Sequence, residues 1–106
     1  MKTYRLENFT RGWLIGDFEP SIIRNKEFEF MVRHYTNGNK EDKHVHTQVT
    51  EITVIISGVY QMNGKRYYKG DIIHLEPGEE TDFLCVESGC TAVIKTPSIP
   101  EDKFII

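Results

Sequence analysis

The chain has 106 residues, 39% of them hydrophobic and 27% charged, and 16 acidic against 13 basic side chains leave a formal net charge of −3. That is enough for one domain with one modest core. It holds no run near the roughly 20 apolar residues that a membrane-spanning helix needs, and its scattered acidic balance argues against a dedicated nucleic-acid binder. No apolar stretch follows the basic residues between Met1 and Trp13, so a secretory signal is not expected. A cytoplasmic protein is then the expectation, with Cys85 and Cys90 as free thiols.

Arg11 to Ser21 is mixed and suits one turn of helix or an edge strand. Phe28 to Tyr35 alternates and is rich in strand formers, with Phe28, Phe30 and Val32 on one face. Glu51 to Ser57 is rich in β-branched residues, which fit a pleated surface and resist helix. Val59–Met62 and Lys65–Tyr68 flank Asn63-Gly64, the dipeptide of a two-residue hairpin turn. After a turn at Lys69-Gly70-Asp71, Ile72–Leu75 is a short strand stopped by Glu76-Pro77-Gly78. Phe83–Val86 and Thr91–Thr96 are two more, and the turn between them lets Cys85 and Cys90 face each other across a hairpin. Pro97 and Pro100 end regular pairing. The apolar Phe104-Ile105-Ile106 is expected to dock on the domain or on a second chain. Many short strands separated by turns predict an all-β sandwich or barrel, curled into a single structure at this length.

The chemistry concentrates between Gly38 and Gly58. His44 and His46 stand one residue apart, so on a strand they point to the same face. Glu51 opens the next strand after a short connection, and pairing of the two strands lets all three side chains converge. Two imidazoles and a carboxylate are the facial donor set of non-haem iron, also usable by manganese, nickel or zinc. Taken alone, a His-x-His pair is as often two polar residues on a solvated face. His34 and His74 each stand alone in an alternating strand and are expected to be surface or hydrogen-bonded histidines.

Gly38-x5-His44-x-His46-x4-Glu51-x6-Gly58 resembles the first motif of the cupin superfamily at every defined position. Gly70-Asp71, followed by Pro77-Gly78, resembles the start and the turn of the second. The short spacing between the motifs is that of small single-domain cupins. The resemblance implies one cupin (double-stranded β-helix, jelly-roll) barrel over residues 1–106, with residues 1–25 packing on the barrel or on a partner subunit. It also implies a homodimer, a small-molecule ligand, and a divalent metal ion (Fe, Mn, Zn or Ni) on His44, His46 and Glu51. Where the family's third histidine would sit, this chain has Thr81. Three outcomes stay open: a three-ligand site, an oxygen supplied by Asp82, or loss of metal.

Fold does not decide function in this superfamily. The first expectation is metal-assisted binding or transformation of a small polar molecule, a carbohydrate among them. The alternatives are a metal-free binding module, with Thr53, Thr81 and Tyr60 supplying hydrogen bonds, and a metal-independent sugar-nucleotide isomerase or epimerase. The last would work through His44 or His46 beside Glu51.

Overall fold

Two 3₁₀ turns, Leu6–Asn8 and Thr10–Gly12, precede ten strands in the computed structural model, which describes residues 1–106. The strands are β1 Trp13–Ile15, β2 Glu29–Tyr35, β3 Lys40–Val45, β4 Thr50–Ile55, β5 Val59–Met62, β6 Lys65–Tyr67, β7 Ile72–Leu75, β8 Glu80–Glu87, β9 Gly89–Thr96 and β10 Phe104–Ile105. They form two five-stranded antiparallel sheets, ordered β1-β2-β9-β4-β7 and β10-β3-β8-β5-β6. Apart from β1–β2 and β5–β6, successive strands cross from one sheet to the other, which is what wraps a short chain into a barrel.

The hairpin at Asn63-Gly64 joins β5 to β6, with φ of 51° and 78° at the two residues. A Cβ on Gly64 would meet nothing within 4 Å, so only the backbone conformation asks for glycine there. Gly64→Ala is therefore expected to lower stability by about 1 kcal/mol in urea unfolding, with no change in site properties.

Phe28, Phe30 and Val32 do share a face, but it is the outer one. The residues of β2 that turn inward are Glu29, Met31, Arg33 and Tyr35. The barrel interior is half polar, so the more apolar face of this strand is not the buried one. The outer face of the first sheet consequently exposes Ile52, Ile72 and Ile94.

Cys85 and Cys90 are free thiols, as expected, but not across a hairpin. β8 pairs with β3 and β5, whereas β9 pairs with β2 and β4, so the turn at Ser88 is a crossover between sheets.

One end of the barrel is closed by Tyr35, Ile55, Tyr60, Phe83 and Cys85. Tyr60 is fully buried in this cluster and does not line the cavity, so it supplies no ligand contact there. Its ring packs edge-on to Tyr35 at 5.9 Å. The N-terminal segment packs on the barrel through β1 and the buried Phe9. The apolar tail docks on its own domain, with Phe104 opposite Val45 and Ile105 opposite His44.

Candidate functional site

His44, on β3, and His46, just past its end, project into the barrel and are 4% and 2% exposed. Their placement depends on an irregularity. Glu41 pairs with Phe83 and His44 with Thr81, so Asp42 and Lys43 together oppose the single residue Asp82. This β-bulge inserts one extra residue into β3. Glu41 and His44 are an odd number of positions apart, yet both face the same cavity because of it.

The bulge also holds a ring. His44 Nδ1 lies 2.9 Å from the carbonyl oxygen of Asp42. His46 Nδ1 lies 2.5 Å from the carbonyl oxygen of Asp102, far along the chain. A carbonyl oxygen only accepts, so both rings donate from Nδ1. In the neutral rings, both Nε2 atoms are therefore lone pairs. The rings meet edge to face at 5.4 Å.

Glu51, the second residue of β4, has its Oε2 2.9 Å from His46 Nε2. The approach is off the line of a ring N–H, so the buried Nε2 has no hydrogen-bond partner. Burial pushes the Glu51 carboxyl up, but the His46 ring against it when Nε2 carries a proton, Lys95, and the charge of the two imidazoles when protonated pull it further down. It is held below the usual carboxylate range and is anionic at neutral pH. A lone pair facing an anionic oxygen at this distance is repulsive unless positive charge is added. A second proton on His46 or a cation beside both atoms supplies it.

The donor types and the imposed tautomers fit a divalent cation. His46 and Glu51 are in contact, with His44 next to them. As placed, no three His, Cys, Asp or Glu side chains surround a common point closely enough to hold a metal ion.

Thr81 is buried directly opposite His44, and its hydroxyl donates to the Asp82 carbonyl at 2.7 Å. Asp82 does not replace the missing histidine. Its side chain is exposed and accepts from the Asn63 amide at 2.7 Å, bracing the β5–β6 turn. His34 and His74 are exposed, as expected.

These groups line a cavity of about 150 Å³, with Thr53, Thr81 and Thr91 among its polar walls and Trp13, Tyr35 and Phe83 among its aromatic ones. Burial pushes the Tyr35 phenol up to about 12 although Arg33 beside it pulls the other way. Tyr35 thus stays neutral at physiological pH.

Several working residues gave no signal in the sequence. Asp102 accepts from the Thr47 hydroxyl at 2.6 Å and from the amides of Thr47, Gln48 and Val49 at 3.1, 2.9 and 3.0 Å. It clamps the β3–β4 connection between His46 and Glu51. Lone acidic residues near prolines are common, and only the fold brings this one to the loop. Arg11, Arg33 and Lys95 also line the cavity, from three separate segments with no shared spacing.

No family model and no curated protein sequence matches the chain. Solved structures do. An RmlC-like cupin from Shewanella frigidimarina NCIMB 400 is 21% identical with a TM-score of 0.65, over 74% of this chain and 72% of that one. A protein with a double-stranded β-helix domain from Klebsiella pneumoniae is 17% identical with a TM-score of 0.66, over 92% and 85%. The DMSP lyase DddQ from Ruegeria pomeroyi DSS-3 is 18% identical with a TM-score of 0.71, over 88% of this chain but only 49% of that one. The likeness in sheet architecture spans most of the chain. The chain is a small protein of the cupin fold.

Proposed function

We propose that the protein binds a small polar molecule in the barrel cavity, beside a divalent cation held by His44, His46 and Glu51. The observation that carries this reading is the contact of Glu51 Oε2 with His46 Nε2, 2.9 Å apart, while His46 Nδ1 is already engaged by the Asp102 carbonyl. A bound divalent ion would polarise a carbonyl or hydroxyl oxygen of the ligand. The chain's own part is orientation. The Asp42 and Asp102 carbonyls fix the two rings, Thr53 and Thr81 offer hydrogen bonds, and Tyr35 and Phe83 keep one side of the cavity dry. Iron, manganese, zinc and nickel all suit this donor set.

A second reading puts a proton where the first puts a cation. It is favoured by the absence of three donors around one point. His46 would then be an imidazolium against Glu51, an acid–base pair suited to a metal-free isomerase or epimerase. Elemental analysis of untagged protein separates the two readings. Wild type is expected to carry about one divalent ion per chain, and His46→Ala to lose it. Wild type that stays empty after reloading with each of the four metals would leave the proton reading. Activity that survives a chelator would point the same way.

The exposed face with Ile52, Ile72 and Ile94 supports a homodimer as the solution state. Light scattering is expected to return twice the mass of the 12.4 kDa chain, and Ile94→Lys to return the single mass.

A further inference from the structure

Resting on the cavity as a ligand site, we propose that its ligand is a small organic carboxylate, with Arg33, Lys95 and Arg11 receiving the charged end. Four cationic side chains, Arg11, Arg33, Lys95 and Lys103, line the cavity against two carboxylates, Glu41 and Glu51. With neutral histidines that is 4 − 2 = +2, inside a chain whose net charge is −3. Positive lining focused in a low-dielectric cleft attracts anions.

Part of this charge is met within the protein, since Lys95 acts on Glu51, which it faces across β4 and β9. Lys103 pairs with Glu41, and Glu51 contacts His46. Arg11, Arg33 and Lys95 have no carboxylate within 4.0 Å. Two of them are nonetheless held in place by aromatic faces. The Arg33 guanidinium lies 4.7 Å over the Tyr35 ring, and Lys95 Nζ 5.0 Å over Trp13. Stacking fixes a cation without using up its N–H donors.

A second, independent observation is Thr91. It pairs in register with Arg33 across β2 and β9, lines the cavity, and is 1% exposed. Its Oγ1 has no hydrogen-bond partner. A buried orphan hydroxyl beside an unpaired guanidinium is what a carboxylate oxygen would satisfy. Arg11 adds a third cation from a left-handed backbone conformation with φ of 51°.

The walls favour an organic anion over an inorganic one. Met31, Met62 and Val93 offer apolar contact to a carbon skeleton that phosphate lacks. The volume of about 150 Å³ suits a ligand on the order of five to ten non-hydrogen atoms.

The test is calorimetric titration of the protein as purified, at fixed ionic strength. The probes are acetate, propionate and succinate against their amides, with inorganic phosphate as a further arm. The carboxylates are expected to bind at least tenfold more tightly than the amides. Arg33→Gln should remove that preference, and Arg5→Gln, on the exposed N-terminal segment, should keep it. Lys95→Gln leaves the Arg33–Tyr35 stack intact and should weaken carboxylate binding even if Arg33→Gln unfolds the chain. Equal binding of acids and amides would overturn the anion assignment while leaving the cavity a ligand site. Phosphate binding more tightly than every carboxylate would overturn the choice of carboxylate. No binding by any probe would overturn the cavity as a ligand site as well.

Discussion

Asp102→Ala is expected to lower unfolding stability by about 3 kcal/mol and to disorder the connection that carries His46 into Glu51. The side chain is almost wholly buried and accepts four hydrogen bonds from Thr47, Gln48 and Val49. Removing it strands three backbone N–H groups, and an orphaned buried donor costs more than a made bond contributes. Asp102→Asn keeps one acceptor oxygen and is expected to lose about half as much. Burial pushes the carboxyl up, but the Thr47 hydroxyl and the amides of Gln48, Thr47 and Val49 pull it down to about 2. A group lowered on folding stabilises fully above its unfolded pKa of about 4, and this contribution is lost as pH falls toward 2. Urea unfolding at neutral pH and near pH 3 therefore reads both effects. The gap between wild type and Asp102→Asn should narrow in acid, and a gap that holds constant would mean the carboxylate charge is not what holds the loop. On the proposed cation site, any divalent ion measured in wild type should fall in Asp102→Ala with the loop, because the Asp102 carbonyl also orients His46.

The second large effect is expected at Gly58. A Cβ there would lie 2.6 Å from the Glu87 carbonyl oxygen and 2.9 Å from Gly89 Cα, at a φ of +88°. Both neighbours are backbone, so neither yields as a flexible side chain would. This is the point where the turn after β4 passes the crossover from β8 to β9. Serine and cysteine backbones already bond across it, from the Cys90 amide to the Ser57 carbonyl at 3.1 Å. Gly58→Ala is expected to cost more than about 3 kcal/mol or to abolish soluble expression. Gly38 is the control, because it has nearly the same φ, +89°, with nothing within 4 Å of its Cβ position. Gly38→Ala should cost only about 1 kcal/mol. Matched denaturation curves decide the point, and equal losses would show that conformation alone, not the close approach, demands glycine at 58.

The contrast between these glycines shows what a sequence carries and what it withholds. Gly38 and Gly58 look alike in the motif, and both need positive φ, but only packing distinguishes them. Alternation placed His44 and His46 on one face and Phe28, Phe30 and Val32 on another. It could not say which face of β2 is inward, because an interior holding Glu29, Arg33 and Thr91 breaks the rule that the apolar side is buried. Asn63-Gly64 fixed its hairpin because the turn conformation is local. The turn at Ser88 looked equally local, yet it spans two sheets, since strand partners are chosen by long-range pairing. Of the candidate site, the sequence made legible that His44, His46 and Glu51 come to one cavity. The bulge at Asp42–Lys43 and the clamp from Asp102 were not legible, for both exist only once distant strands have met.

Along β4 the inward residues run Glu51, Thr53, Ile55, and along β8 they run Thr81, Phe83, Cys85. Each strand passes from polar to apolar as it approaches the closed end of the barrel. The residues that line the cavity and the residues that hold the barrel shut are thus neighbours on the same strands, yet largely separate sets. Tyr35 and Phe83 belong to both. An evolving lineage can therefore exchange position 53 or 81 and change the cavity wall, while Ile55, Tyr60 and Cys85 go on excluding water. Such a chain can drift in its cavity lining faster than it drifts in shape.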